Sequence, residues 1–582
     1  MIRPALLCLF SIVAASAQTA ANVYLQHNLV SNVPGLADVT DPNLVDPWGM
    51  SFSSGSPFWI SNHGKGNTTV YSNASSTAPI TVTTTVVTIP SGAGGPAVST
   101  PTGQVQNSTT GFLLANGKVA SFIFCTEDGT ISAWNGGTAA TLMVDFSAAG
   151  TVYKGMAISS LSGAPLLYLA NFSYGKIDVF DTNFKLTTVP GGFGDPNLPA
   201  GYAPFNVWPV AGKLAVMFAK QDPTKKNDQA GVGNGVVDLF DFNGNLQQRL
   251  TSGGPLNSPW GVAQVGGAWG AFGGSILVGN FGDGHINAFD PVTGALRGTL
   301  QDATGAPIAI QGLWAISPGN GASAGDFDYL YFTAGIINNG AQAGLLGYVA
   351  PQAQITGVHN AAAGPAASVA PGEIVQLTGI TIGPRPAVSS PSFTSAANAT
   401  TSLGGTTVTV NGTPAPILYT QADVSNIIIP FGVTGTTANI VVTSGTTVSQ
   451  TLTVPLAPTS PGLFAGAVFN QDGTVNSAAN PAAAGSVVIL YATGLGQTDP
   501  PGQDGVRMGS LVIAETVAPV TATIGGQAAT VAYSGSAPGQ ISGIQQVELI
   551  VPAGAGTGLV PVVLTAGGVA PQPGVPQIVY LK

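Results

Sequence analysis

The side chains able to do chemistry in this chain are few, and most of them sit in turns. Of 582 residues, 25 are Asp or Glu, 15 are Lys or Arg and 4 are His. Glu127 and Asp128 precede Gly129, and Asp283 precedes Gly284. Carboxylates of this kind, brought to one face, are oxygen ligands suited to Ca2+, so calcium at Glu127, Asp128 and Asp283 is one expectation; an acid before glycine is equally what a tight turn asks for. His27, His63, His285 and His359 are scattered, without the paired spacing of a helical zinc motif. Gly321-Ala322-Ser323-Ala324-Gly325 spells the nucleophile pattern G-x-S-x-G in a Gly/Ala loop, where the strand-to-helix turn that strains such a serine is missing, so the match is one of letters. Asn470-Gln471-Asp472-Gly473 resembles a calcium loop, but Val468 stands where its first acid belongs, and a turn is the simpler reading. No residue is assigned a catalytic role.

The richer set is aromatic. Trp48, Phe205, Trp260 and Trp314, with Thr102 and Lys154, occupy one recurring position, and Asn62, His63, Asn171, Asn280 and His285 occupy a second. Aromatic faces ringed by polar groups suit a sugar or another flat-faced ligand, whose C–H faces stack while its hydroxyls take hydrogen bonds. Packing between repeats is the competing reading of the same rings. The segment from Lys220 to Gln229, with Lys220 and Asp222, holds the densest charge of the chain. It interrupts a hairpin, where function usually sits on a rigid scaffold, although a solvated loop explains the charge as well.

Elements that position these residues follow from a repeat. Pro47-Trp48-Gly49, Pro101-Thr102-Gly103, Tyr153-Lys154-Gly155, Pro204-Phe205-Asn206, Pro259-Trp260-Gly261 and Leu313-Trp314-Ala315 are spaced 54, 52, 51, 55 and 54 residues apart. Each opens an apolar run, followed by a second run broken by a polar hairpin, as in Leu166 to Asn171 with Lys176 to Asp181. Short apolar runs bounded by Gly, Asn and Asp are strand and hairpin signals, and a period near 50 predicts a six-bladed β-propeller over residues 18–350. A ring of blades needs closure. Val23 to Val30 alternates and has no blade of its own, so residues 22–32 are expected to supply the outer strand of blade six.

Only 7% of residues are charged, against 80 Gly and 43 Pro, while 44% are hydrophobic and the mean hydropathy is +0.34. This is all-β composition rich in turns, too apolar for disorder. A net charge of -10 without a basic stripe argues against nucleic acid and anionic membrane as partners. Arg3, the apolar stretch Ala5 to Ala14 and Ala15-Ser16-Ala17 predict a secretory signal over residues 1–17, and hence a secreted or cell-surface protein. Beyond it only Cys125 remains, so no internal disulfide is expected, and no stretch is long and apolar enough to span a bilayer.

After Val349 the repeat stops, and the Pro/Ala/Gly-rich passage from Pro351 to Gly364 reads as a domain boundary. The remainder echoes itself: Ala370 to Gly379 matches Ala484 to Gly494, and Val408 to Pro430 matches Ala522 to Pro552. Asn411-Gly412 and Gly525-Gly526 fall between alternating runs as hairpin turns. Two Ig-like β-sandwiches, residues 351–457 and 458–582, follow from this spacing.

Asn28 to Gly35, Thr40 to Gly49, Cys125 to Trp134 and Ala219 to Asp222 together resemble a bacterial family of secreted propellers with NHL-like repeats, over roughly residues 22–350. Gly462 to Ala465, Asp472 to Asn476 and Tyr491 to Gly496 are similar to a Solibacter-type C-terminal domain of acidobacterial secreted proteins. Neither family implies an activity. The leading expectation is a non-enzymatic protein that binds an extracellular ligand, a glycan among the candidates, on one propeller face. A calcium-dependent hydrolase or lyase of the lactonase type and a structural envelope component are the alternatives.

Overall fold

The computed structural model describes residues 22–582 apart from 75–78, 162–163, 268, 394–396, 446, 510–512 and 572–576, so the expected signal segment lies outside the described residues. Among the described residues regular structure is β-strand, with four short 3-10 turns and no α-helix. The chain divides into two compact units, Ala21–Pro351 and Gln352–Lys582.

The first unit is a succession of antiparallel sheets, each run consecutively along the chain. Pro47–Ser51 opens a four-stranded sheet, and Pro101–Gln106, Tyr153–Leu161, Tyr202–Val210 and Pro259–Gln264 open four more. The sixth begins at Leu313–Pro318, continues through Leu330–Asn338 and Ala341–Pro351, and takes its next strand from the far end of the unit. Tyr24–Ser31 pairs antiparallel with Ala341–Pro351, in a register that sets Tyr24 opposite Pro351 and Ser31 opposite Leu345, with a bulge near Leu29. Val39–Thr40 adds a short parallel fifth strand. The six opening strands pack on one another in order, and the sixth packs on the first, so they form a closed ring.

The glycine that follows four of the six ring residues, Trp48, Thr102, Lys154 and Trp260, has a steric cause. A Cβ at Gly49 would lie 2.5 Å from the Thr102 carbonyl oxygen of the next sheet, and one at Gly261 2.5 Å from that of Trp314. Side chains stitch other seams of the ring. Thr102 Oγ1 donates to the Tyr153 carbonyl at 2.8 Å, Asn206 Nδ2 to that of Trp260 at 2.9 Å, and Thr333 Oγ1 to that of Trp48 at 2.5 Å.

In the second unit the passage expected as a linker is partly ordered as the strand Gln354–Asn360, which pairs with Ile374–Ile380. The internal echo is structural: Ile374–Ile380 pairs with Val424–Ile428, and its counterpart Val487–Thr493 pairs with Gln545–Ile550. Asn411 and Gly412 both take positive φ, as do Gly525 and Gly526, the geometry that two-residue hairpins demand. Val375, Leu377, Val408 and Ile440 bury one core, and Val488, Leu490, Ile524 and Leu549 another.

The two halves of this unit also share an apolar cluster through Ile374, Ile428, Phe464 and Tyr491. Beside it lies Glu373, fully buried, accepting hydrogen bonds from Asn360 Nδ2 at 2.8 Å and the Ala370 amide at 2.7 Å. Burial pushes its carboxyl up to about 8, against those hydrogen bonds. The folded state therefore holds a proton that the unfolded chain releases above about 4.5, and stability falls as pH climbs from there to about 8. Glu373→Gln cannot ionise, although its amide nitrogen gives up one accepted hydrogen bond, so its melting temperature relative to that of the parent should be higher at pH 9 than at pH 5. A gain of equal size at both values would show that the carboxyl is not the titrating group.

Candidate functional site

The six opening strands bring one residue each to the same place. Trp48, Lys154, Phe205, Trp260 and Trp314 are all buried there, with Thr102 beside them. Trp48 stacks on Trp314 at 3.5 Å between ring centroids, Trp260 meets Trp314 edge-on at 5.7 Å, and Phe205 lies 5.9 Å from Trp314. This cluster stops the axis with packed rings. Trp48, Lys154 and Trp314 also form the floor of a cleft of about 600 Å³, which Phe205 and Trp260 do not line. The cluster thus divides into members that line the cleft and neighbours that are packed beneath it.

A line of charge crosses the cleft. Asp46 Oδ2 lies 3.0 Å from His63 Nδ1, His63 Nε2 lies 2.8 Å from Glu127 Oε2, and Lys154 Nζ is paired with Glu127 Oε1. Asp46 Oδ1 also accepts from Trp48 Nε1 at 3.1 Å, and the His63 ring stacks on Trp48 at 5.0 Å. The Lys154 ammonium stands 5.3 Å from the Trp48 ring centre, 5.7 Å from Phe172 and 5.9 Å from Phe205, so its charge is shared between a carboxylate and aromatic faces. Burial alone would lower the His63 pKa, but hydrogen bonds and charges from Asp46 and Glu127 raise it to about 9. Burial would raise Glu127, but the Lys154 charge and the His63 hydrogen bond hold it at about 2. Both groups are charged at neutral pH.

Asn171 and Asn280 were expected to face a ligand, and they turn inward instead. Asn171 Nδ2 donates to Asp178 Oδ2 at 2.7 Å; Asn280 Nδ2 donates to the Pro255 carbonyl at 2.8 Å and to Asp283 Oδ1 at 3.0 Å. Side chains alternate across a strand, so the next residue takes the opposite face. Accordingly Phe172 approaches Lys154, and Phe281 stacks on Trp314 at 4.0 Å and lines the cleft. Lys220 and Asp222 do not line it either. The Asp222 carboxylate bends back onto its own loop, accepting from Thr224 Oγ1 at 2.7 Å and the Lys226 amide at 3.2 Å. The same loop delivers Asn227 and Asp228 to the cleft, and burial pushes the Asp228 carboxyl above its ordinary range.

The calcium expectation fails on geometry. Glu127 is engaged by Lys154 and His63, whereas Asp128 accepts from Ser91 Oγ at 3.0 Å and Thr100 Oγ1 at 3.1 Å and so ties down the loop from Ser91 to Thr100. Asp283 accepts from Asn257, Asn280 and the His285 amide. Among the described residues no three His, Cys, Asp or Glu side chains gather in a group able to hold a metal ion. Asp46 and Phe281 escaped the sequence reading, and Asp228 entered it only as part of the segment from Lys220 to Gln229, although the repeated Asn-Phe pair at 171–172 and 280–281 was a usable signal for Phe281.

Repeated four-stranded sheets around an axial cleft define the class: an all-β repeat protein with its candidate site over the ring centre. No family model matches the chain. It is 33% identical over 324 residues to the uncharacterised protein R648 of Acanthamoeba polyphaga mimivirus, covering 53% of this chain and 76% of that protein. It is 31% identical over 320 residues to the uncharacterised protein L690 of the same virus, covering 53% and 80%. The chain belongs to the family of these mimivirus proteins. The bacterial family and the Solibacter-type domain expected from the sequence are thereby corrected. Motifs such as Pro47-Trp48-Gly49 answer to close inter-strand approach and ring packing, which any chain of this geometry needs.

Among solved structures, a streptogramin B lyase aligns over 56% of this chain and 97% of its own at 12% identity, with a TM-score of 0.32. An α-L-arabinofuranosidase of Fusarium graminearum in complex with arabinobiose aligns over 56% and 98% at 12% identity, with a TM-score of 0.36. The calcium-binding protein regucalcin of Agrobacterium tumefaciens aligns over 53% and 92% at 12% identity, with a TM-score of 0.27. Likenesses of this grade carry no argument about activity. No helix among the described residues is long and apolar enough to cross a membrane.

Proposed function

We propose that the first unit is a closed six-bladed β-propeller and that the second is a pair of Ig-like sandwiches. The chain then acts as an exported binding protein whose axial cleft takes the flat face of a sugar. One observation carries this reading: Trp48, Trp314 and Phe281 form a continuous stacked wall beside the polar line Asp46–His63–Glu127–Lys154 within one cleft. Trp314 is covered on both faces, by Trp48 and Phe281, and Trp48 also by His63, so the half-buried Phe281 is the ring left to stack on a sugar, and hydrogen bonding along the polar line is the other half of recognition. Binding is favoured over general acid–base catalysis because His63 is already protonated and Glu127 already ionised at neutral pH. Each is held by partners, and neither is poised to exchange a proton.

Ile337 lines the rim of the cleft and is half exposed, which makes it a site for filling the space without touching the core. On a glycan array, full-length protein should bind a defined set of neutral glycans. Ile337→Trp and Phe281→Ala should each weaken that binding at least about tenfold, with EDTA making no difference. Turnover of the bound glycan, or binding untouched by both variants, would overturn the proposal.

A further inference from the structure

We infer that the ligand of this cleft is a chain of neutral sugars lying across two adjoining subsites. The inference rests on the glycan reading above and adds the length and charge of the ligand. A second hollow of about 310 Å³ is lined by Thr100, Asp128, Ser147, Thr151 and Lys226, and Glu127 and Asn227 line both it and the aromatic cleft. The two hollows therefore open on either side of one fixed carboxylate. Glu127 acts as a post between them, because His63 occupies one of its oxygens and Lys154 the other.

The chemistry changes across that post. The first hollow is walled by Trp48, Trp314 and Phe281; the second has no aromatic lining and offers hydroxyls and the backbone of Gly94 and Gly95. Ser147 Oγ accepts from the Gly94 amide at 2.9 Å and donates to Asp145, and Thr100 Oγ1 donates to Asp128. A hydroxyl oxygen has two lone pairs, so both keep room for a further donor from a ligand. A disaccharide is held within the larger first hollow, one of its rings stacked, and the next sugars of a longer chain meet polar groups in the second. Together the hollows approach the upper end of the ~300–1,000 Å³ typical of small-molecule sites.

Charge selects within the class of glycan. Five carboxylates border the two hollows, those of Asp46, Glu127, Asp128, Asp228 and Asp283, against three cations, His63, Lys154 and Lys226. The excess of negative charge repels uronate, sulfate or phosphate groups and leaves neutral chains as the fitting ligand.

The test is calorimetric titration of full-length protein with β-1,4-linked disaccharides and hexasaccharides of glucose, xylose and mannose, and with hexagalacturonate. At least one neutral hexasaccharide should bind about tenfold or more tighter than its disaccharide, and hexagalacturonate should bind more weakly than the neutral chains. Pro96→Trp, at an exposed position lining the second hollow, should reduce hexasaccharide affinity to that of the disaccharide and leave the disaccharide unchanged. Lys226→Trp, on a different loop, should do the same if Pro96→Trp fails to fold. Equal affinity for short and long chains, a preference for hexagalacturonate, or indifference to the blocking variants would each overturn this inference while leaving the aromatic cleft as a sugar site. Failure of every glycan to bind would remove the sugar reading itself.

Discussion

A chain that begins at Asn32 is expected to melt far below the full-length protein or to aggregate. It lacks Tyr24–Ser31, the strand that covers Ala341–Pro351. Tyr24, Leu29 and Val30 are buried, and Tyr24 stacks against Phe272 at 5.9 Å between ring centroids and lies 4.7 Å from Trp269. Burial of side chains of this size is worth ~1.5–3 kcal/mol each, an upper bound because the unfolded chain already hides part of that surface. Three of them amount to a large share of the ~5–15 kcal/mol by which a domain is stable, and the loss also leaves an unpaired edge open to other chains. Thermal unfolding followed by light scattering checks this. Val30→Asp, which buries an unpaired charge in the same strand, should reproduce much of the effect, and an unchanged midpoint in both variants would show that the ring does not depend on this strand.

Glu127→Gln is expected to destabilise the first unit by about 3–5 kcal/mol, the usual penalty for stripping the partner from a buried charge. Lys154 is only 3% exposed, so its ammonium would lose its paired carboxylate and keep only aromatic faces, a neutral amide oxygen and the charge of Asp228 across the cleft. Lys154→Met in the Glu127→Gln background should recover most of the loss, because no unpaired charge then remains. The parent should also show a pH signature. Glu127 contributes stability that is fully present above about 4.5 and is lost as pH falls through about 2; His63 contributes stability that is fully present below about 6.5 and is lost as pH rises through about 9. Denaturant titrations should therefore find this contribution greatest between about pH 4.5 and 6.5, with both flanks flattened by Glu127→Gln. Should Glu127→Gln cost less than about 1 kcal/mol, water from the cleft must be solvating Lys154.

What the sequence made legible was whatever backbone geometry imposes on residue type. Glycine after Trp48, Thr102, Lys154 and Trp260 is required by the approach of neighbouring opening strands, so the repeat, its spacing and the converging ring could all be read from it. The closing strand was legible because Val23 to Val30 is an apolar run beside no partner of its own, although its burial does not alternate: Tyr24, Leu29 and Val30 are buried and Leu25 is exposed. The polar half of the site was less accessible. Acid–glycine pairs at 128–129 and 283–284 look alike in sequence, but Asp128 holds a loop, Asp283 holds a hairpin, and the carboxylate at the centre of the charged line is Glu127, whose partner Lys154 comes from the next sheet. Asp46 carries a positive φ of 47° and reaches Trp48 and His63 from a turn, a conformation that residue type alone does not announce. Asn171 and Asn280 were placed on the right hairpins and on the wrong side of them, a one-residue error that alternation turns into a reversal of face.

The strand that closes the ring also sets the order of assembly. Tyr24–Ser31 is synthesised first, yet its partner Ala341–Pro351 emerges some 310 residues later. At ~5–20 residues per second, the early strand waits about 15–60 s with its hydrogen-bonding groups unclaimed while five complete sheets form behind it. Ribosome-bound chains halted before Ala341 would thus carry a long-lived open edge, and the first unit would reach its final form in a single late step of joining its two ends.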